Sequence, residues 1–525
     1  FAAQFWWLGI VSPVGVVVLP LYLGLFWGLF GAYAASWGNP WRSPICADAG
    51  WGACRHSLLH AMALAAIWAG TEWLRGWLFT GFGWNPLGVA FHESRVIAQA
   101  ADLFGVSGLS MLLIFFQATL LQAGRRVALG ARDGTRRARH DFLIASAVVF
   151  AAMIYGLIRI ASESRLESIR LRAMLVQINI PQDAARVLWE ATKVHMAYEE
   201  ETLAGLEKLG DADAARLQES IKKQDSGELS IRWPDWVIWP ESALTGRFLR
   251  AADGSWATWL ENVETISRVR KAGPFTLIQG TNELEAVQEE DDMMSVMPGG
   301  RAWNSLAVLD PQDELQTYRK RHLVIFGETI PFVDSLPWLK KLYEQQAGIE
   351  YGGSFTPGES AEPIIIETAA GEKIGAIPTI CFEDTVGRLT RRSLRAGPQV
   401  IVNVTNDGWF KESPAAAQHF ANARFRAIEL RRPMLRSANN GVSAAVDSTG
   451  SIDHPDTGKA QMIVDSHGSH FTRGSLLTET NVPINPSFSL YGLLGDAAIQ
   501  LFALLALIVP IFRSWRQRSQ QDSGL

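Results

Sequence analysis

Long uncharged runs near both ends of the chain enclose a middle section in which apolar and polar positions alternate. A membrane-spanning helix needs about 20 mostly apolar residues. Five stretches predict one: Val14–Ala35, Leu58–Leu74, Ile97–Leu121, Phe142–Ile160 and Tyr491–Phe512. The second and third carry Glu72, Arg75 and Asp102 near their ends. Such charges either anchor a helix at the interface or mark a place where lipid enters.

Between these spans the period shortens. Strands are predicted at Leu171–Ile180, Trp236–Trp239, Phe275–Gly280, Ala302–Leu309, Ile374–Ile380 and Val400–Val404, with Val442–Asp447 and Gln461–Val464 as later ones. Helical patterns fill Ala184–Leu209, Trp256–Lys271 and Ala415–Leu430, and Glu283–Gly300 reads as an acidic loop. Alternating strands and helices predict an α/β layered domain. The chain divides into a helical membrane bundle over 1–162, an α/β domain over 165–485, a last membrane helix over 487–513 and a tail over 514–525.

Basic residues in short loops set the orientation. Arg125, Arg126, Arg132, Arg136, Arg137 and Arg139 stand against Asp133 between the third and fourth spans, and Arg513, Arg516 and Arg518 follow the fifth. Both clusters belong in the cytoplasm. That puts the α/β domain on the opposite face, which is the periplasm if the membrane is a bacterial inner one.

Composition agrees with a membrane protein: 48% of residues are hydrophobic, 19% are charged, and 20 tryptophans suit rings held between hydrocarbon and water. A net charge of −5 without a dense basic stripe gives no footprint for nucleic acid. Three cysteines cannot build a disulfide framework. By the orientation above, Cys46 and Cys54 lie on the reducing side. Cys381 is then alone on the oxidising side, where a lone thiol needs a reason to persist. No basic leader precedes the first apolar run, so a cleavable signal peptide is not expected.

The candidate chemistry centres on that cysteine. In Gly375–Glu383 an apolar run of strand length leads into Cys381, with Glu383 two residues later. Glu241 and the Asn406-Asp407 pair also fall just past strand-like runs, and Lys320 lies one turn-length beyond Asn304–Leu309. In α/β sheets reactive groups gather beyond the carboxyl ends of strands. A cysteine nucleophile needs a base or a positive neighbour: a carboxylate takes its proton, and a lysine holds the thiolate or an oxyanion. Each residue also has a plain reading. Cys381 fits small-residue packing, Glu241 a helix cap, Lys320 a solvated charge and Glu328 a turn.

Three segments tilt that balance: Trp239-Pro240-Glu241-Ser242, Tyr318-Arg319-Lys320-Arg321-His322 through Phe326-Gly327-Glu328, and Ile380-Cys381-Phe382-Glu383. They resemble the three catalytic blocks of the nitrilase superfamily and, more narrowly, those of the membrane-bound apolipoprotein N-acyltransferases. Val176–Gln182, Asn406–Phe410, Gln418–Phe420 and Arg436–Gly441 are similar to further blocks of that family. Thr71–Trp77 through Phe82 resembles a membrane motif that soluble amidases lack. The resemblance implies an α/β fold, a nitrilase-like α/β sandwich attached to an α-helical transmembrane bundle. It implies Glu241 as general base, Lys320 as electrostatic partner and Cys381 as nucleophile. Glu328, Phe382, Glu383 and Asn304 would support them, and Trp409, Phe410, Trp239 and His419 would bind substrate. The implied reaction moves an acyl chain from a phospholipid, phosphatidylethanolamine, through a thioester to a diacylglyceryl-apolipoprotein. It needs no metal or cofactor and is carried out by a monomer.

Eight membrane helices are usual in the family, so about three are expected ahead of Phe1. Ile325 stands where the family has proline. Pro331–Pro357 reads as a lid or as an ordinary surface loop. Alternative functions are a membrane-tethered amidase and a receptor built on an inactive nitrilase fold.

Overall fold

The computed structural model describes residues 1–39, 50–133, 139–183, 186–223, 233–289, 293–330, 333, 336–347 and 353–508. Cys46, Arg136, Arg137, Arg513, Arg516, Arg518 and residues 331, 332, 334, 335 and 348–352 of the predicted lid lie outside them; the rest of that segment includes a helix over Pro337–Ala347.

The membrane part comprises α1 (Leu8–Val11), α2 (Gly15–Ala35), α3 (Trp51–Arg75), α4 (Arg95–Ala98), α5 (Ala101–Asp133) and α6 (His140–Glu163). Among the described residues, three helices are long and apolar enough to cross a membrane: Gly15–Ala35, Ala101–Arg132 and His140–Glu163. The predicted second span lies within α3, where Arg55, His56, His60, Glu72 and Arg75 dilute the apolar run. The predicted third span is broken. α4 ends at Ala98, and α5 is kinked at Phe104 and Gly105, the latter at φ 68°. Next to that kink Asp102 is buried and receives Arg431 Nε at 3.0 Å, Arg159 Nε at 3.0 Å and the Tyr155 hydroxyl at 2.7 Å. Asp102 is therefore a joint between membrane helices and the α/β domain rather than an interfacial anchor. Arg126, counted above toward orientation, is buried against Asp141.

The α/β domain is two sheets face to face. The first, nine-stranded among the described residues, has the central order β10-β9-β7-β4-β1-β16. In chain order its strands are β1 (Ser168–Gln177), β4 (Trp236–Ile238), β5 (Phe248–Arg250), β6 (Trp256–Thr258), β7 (Thr276–Gln288), β8 (Met294–Val296), β9 (Ala302–Leu309), β10 (Leu315–Arg319) and β16 (Gly474–Pro483). The second has the order β11-β12-β13-β14-β15: Ile364–Glu367, Lys373–Ile380, Gln399–Thr405, Met434–Ala438 and Ala444–Val446. A small hairpin, β2 (Gln182–Asp183) with β3 (Arg186–Val187), follows β1. β1, β4 and β7 run parallel, as do β12, β13 and β14.

Side chains alternate across each strand. Leu171, Ala173 and Leu175 of β1 share one buried cluster with Val400, Val402 and Val404 of β13, which is the seam between the sheets. Met174 and Val176 face the other way, toward helices α7 (Ala191–Lys223) and α8 (Leu260–Arg270). Ile377 and Ile401 turn outward to Ala423 and Ala427 of α11 (Ala415–Leu430). The layers are helix, sheet, sheet, helix. Shorter helices are α9 (Pro337–Ala347), α10 (Gly387–Arg392) and α12 (Leu490–Leu494).

Several element boundaries differ from expectation. The first long helix starts at Ala191 rather than 184, because the β2–β3 hairpin occupies the start of that segment. The predicted helix from Trp256 opens as β6 and becomes helical at Leu260. The acidic stretch after Glu283 is strand through Gln288 and pairs with β8, since its carboxylates stand on a solvated sheet extension. Only a bridge at Met462 forms in Gln461–Val464. The last predicted span breaks at Gly495, φ 57°, between α12 and Ala497–Ile508.

Candidate active site

Glu241, Lys320 and Cys381 arrive from three strand ends. Glu241 follows β4, where a close crossing fixes its backbone: a Cβ on Gly280 of β7 would lie 2.4 Å from Glu241 Cα, so only glycine fits there. Lys320 was expected one turn-length past β9. Instead β10 returns antiparallel to β9 first, and Lys320 N donates to Asn304 O at 2.8 Å. Cys381 directly follows β12, at φ 50°, and begins a 3-10 turn. A non-glycine residue in the left-handed region is strained, a condition typical of reactive positions.

The three meet. Lys320 is 1% exposed, with Nζ 2.9 Å from the Glu328 carboxylate and 3.6 Å from Glu241 Oε1. Asn304 Nδ2 donates to Glu241 Oε1 at 2.8 Å and to Glu328 Oε1 at 2.6 Å, so one amide braces both acids. Burial and the Glu328 charge hold the Glu241 carboxyl above its ordinary range, against the pull of Lys320. Burial opposes the Lys320 charge, but Glu328 and Glu241 overcome it and keep the ammonium protonated. Burial and the nearby Glu241 raise the Cys381 thiol, with Lys320 acting the other way. Cys381 is thus a protonated thiol, half-buried, with the Glu241 carboxyl and the Lys320 ammonium beside it.

Glu383 does not join this chemistry directly. It accepts from the backbone N–H of Ile380 at 2.9 Å, of Arg321 at 2.8 Å and of His322 at 3.0 Å, and from the Tyr318 hydroxyl at 3.0 Å. One carboxylate thereby pins the Lys320 loop to the Cys381 turn. Phe382 is stacked between Trp84 and His322, at 5.9 and 5.8 Å between ring centroids. Phe410 packs 4.7 Å from Trp7 in the same aromatic wall, and Trp409 is half-buried beside it.

Two expected substrate-binding residues are placed elsewhere. Trp239 is wholly buried and donates its indole N–H to Thr202 at 3.0 Å. His419 is buried between Asp407, 2.6 Å from Nδ1, and Asp384, 2.9 Å from Nε2, so neither ring nitrogen is free for substrate. Arg436 completes the cluster, reaching Asp384 at 3.0 Å and Asp407 at 3.2 Å. Two carboxylates, a guanidinium and an imidazolium balance in charge beneath the Cys381 turn. Asp384 and Arg436 had no assigned role in the sequence. Arg436 opens a block similar to one of a known family, and Asp384 directly follows the Cys381 block.

Burial works against the His419 charge, but Asp384 and Asp407 outweigh it and raise the imidazole to about 9. A raised folded value stabilises fully below the ordinary value of 6.5 and loses that contribution as pH climbs through about 9. Stability is expected to fall over that interval, and His419→Gln to flatten the fall. Denaturant midpoints across pH measure this.

Comparisons with known proteins agree with this architecture. The carbon-nitrogen hydrolase family profile matches residues 234–464, and the apolipoprotein N-acyltransferase N-terminal domain profile matches residues 1–119. The apolipoprotein N-acyltransferase of Bradyrhizobium diazoefficiens is 29% identical over 524 residues, covering 98% of this chain and 82% of that one. That of Allorhizobium ampelinum is 30% identical over 467 residues, covering 86% and 74%. A solved CN-hydrolase superfamily protein of Xanthomonas campestris aligns at 17% identity and TM-score 0.32, over 59% of this chain and 90% of that one. By the profile match, residues 234–464 form a carbon-nitrogen-hydrolase-type domain, a nitrilase-like α/β sandwich joined to apolar helices long enough to cross a membrane. With both profiles in one polypeptide and relatives matched along most of their length, the chain belongs to the apolipoprotein N-acyltransferase family.

Proposed function

We propose that this chain transfers a fatty acyl group from a phospholipid, phosphatidylethanolamine, to the N-terminal amine of a diacylglyceryl-apolipoprotein through a thioester on Cys381. Supporting this is the meeting of a half-buried thiol with a buried ammonium and a buried carboxylate at the strand ends. Glu241 takes the thiol proton as sulfur attacks the sn-1 ester carbonyl. The oxyanion falls to the Lys320 ammonium and the Phe382 N–H, donors whose loss typically raises a barrier by about 3 kcal/mol. The C–O bond breaks, Glu241 returns the proton to the departing alkoxide, and lysophospholipid leaves. The lipoprotein's neutral α-amine then attacks the thioester, Glu241 takes its proton, and sulfur departs to regain it. The domain works as a monomer in the periplasm, on the outer face of a bacterial inner membrane.

The direct test is the mass of the intact protein after mixing with phospholipid. A long-chain acyl mass on Cys381 that disappears on adding lipopeptide is expected. No acyl mass, with hydrolysis of small amides instead, would favour a membrane-tethered amidase.

Glu328 gives a second test. Its charge helps hold Glu241 up and it shares both Asn304 and Lys320 with it. Glu328→Gln removes the repulsion, so the Glu241 carboxyl falls. The acid limb of the pH profile for acyl-enzyme formation is expected to shift to lower pH. A limb that stays in place would show that Glu241 does not set it.

A further inference from the structure

A cavity of about 410 Å³ opens between the membrane helices and α11. Its walls are aromatic, with Phe26, Trp27, Phe30 and Trp68, but two opposite charges on α3 also line it. Arg75 is 4% exposed; Nη1 donates to Trp84 O at 2.9 Å, and among the described residues no carboxylate lies within ion-pair distance of it. Glu72, one turn earlier, accepts at Oε1 from the Trp68 indole at 2.9 Å and from Leu87 N at 2.7 Å. Its Oε2 is buried near the Ser110 hydroxyl without a hydrogen bond of normal geometry. A buried guanidinium with one carbonyl as its hydrogen-bond partner, the Phe1 ring 5.9 Å away and Glu72 beyond ion-pair distance, is expensive unless an anion completes it, and ionisable groups at membrane depth mark substrate paths. Side chains three apart on a helix are neighbours, and these two feel each other's charge without closing to ion-pair distance. Arg75 keeps hydrogen-bonding capacity toward the cavity, and Glu72 Oε2 lacks a hydrogen-bond partner within the protein.

We propose that this cavity holds the headgroup of a zwitterionic phospholipid donor, its phosphodiester on Arg75 and its ammonium on Glu72. The aromatic walls take the start of the acyl chains. The cavity adjoins the reaction centre: Arg75 bonds the Trp84 carbonyl, and the Trp84 ring stacks on Phe382, the residue after Cys381. This assignment rests on the acyl-transfer reading above and adds to it where the donor is recognised.

The test uses the full chain in detergent micelles, following acyl mass on Cys381 from three donors: dipalmitoyl phosphatidylethanolamine, dipalmitoyl phosphatidylglycerol and the headgroup-free p-nitrophenyl palmitate. Losing a charge-assisted contact to phosphate should lower the rate ratio of phosphatidylethanolamine to p-nitrophenyl ester in Arg75→Gln by about tenfold or more. Arg75→Lys should recover part of it as a point charge. Glu72→Gln should erode the preference for phosphatidylethanolamine over phosphatidylglycerol. An equal loss with every donor would make Arg75 merely structural and overturn the proposal, as would an unchanged ratio. Wild-type protein that takes acyl from no donor would sink the acyl-transfer reading itself. Wild-type acylation with an unchanged Arg75→Gln ratio would sink only the headgroup site.

Discussion

Replacing Cys381 by alanine is expected to abolish acyl transfer, with turnover down by on the order of 10⁴-fold or more and no acyl mass anywhere on the protein. The second half follows from geometry. Glu241 and Lys320 stay beside an empty position, and a carboxylate and an ammonium alone cannot carry a fatty chain. Serine at the same place tests the sulfur itself. Glu241 is a weak base facing a hydroxyl far harder to ionise than a thiol, so Cys381→Ser should be nearly as inactive. The side chain is small and half-buried, so neither variant should alter the unfolding transition appreciably. Substantial residual N-acylation by purified Cys381→Ala would remove the thiol from the mechanism.

Lys320→Met should lose both activity and stability, the second in a pH-dependent way. The ammonium is the positive partner of two buried carboxylates, 2.9 Å from Glu328 and 3.6 Å from Glu241. Removing one member of a buried charged set typically costs about 3–5 kcal/mol. Here the two acids can limit that loss by binding a proton, since burial already pushes Glu241 upward. The folded variant then holds more protons than the unfolded chain, and stability falls as pH rises through the neutral range. Wild-type protein should show a shallower slope from this site, because Lys320 pulls the Glu241 carboxyl down. Urea midpoints for both proteins between acid and mildly alkaline pH would decide the matter; parallel curves would mean that Lys320 does not neutralise these acids. Lys320→Arg should not restore turnover, because a planar fork cannot occupy the space of a compact ammonium braced by Glu328.

Much of the α/β half was legible because its signals are local. β1, β4, β9, β12 and β13 are built on short apolar runs, and each lies where its pattern pointed to within a few residues. The strands missed were different in kind. β10, β11 and β16 mix charges with apolar residues and lie at sheet edges, where one side faces solvent, whereas β14 is interior and wholly buried but only five residues long and interrupted by Arg436. The kink at Gly105 and the break at Gly495 were hidden inside runs that are uniformly apolar. Asp102 explains the first: it turns from the membrane helices to meet Arg431, a partner more than 300 positions away.

The sequence by itself determined the layered α/β class, the apolar helices and the residue types the chemistry requires, because periodicity and motif spacing are properties of neighbours along the chain. It could not show that Glu241, Lys320 and Cys381 share one centre, nor that His419 is locked between Asp384 and Asp407 and not open to substrate. Those are through-space facts, decided when strands distant in order are stacked. Burial then sets which carboxylate keeps its proton and which lysine its charge, since the energy of an ion depends on what surrounds it rather than on what precedes it.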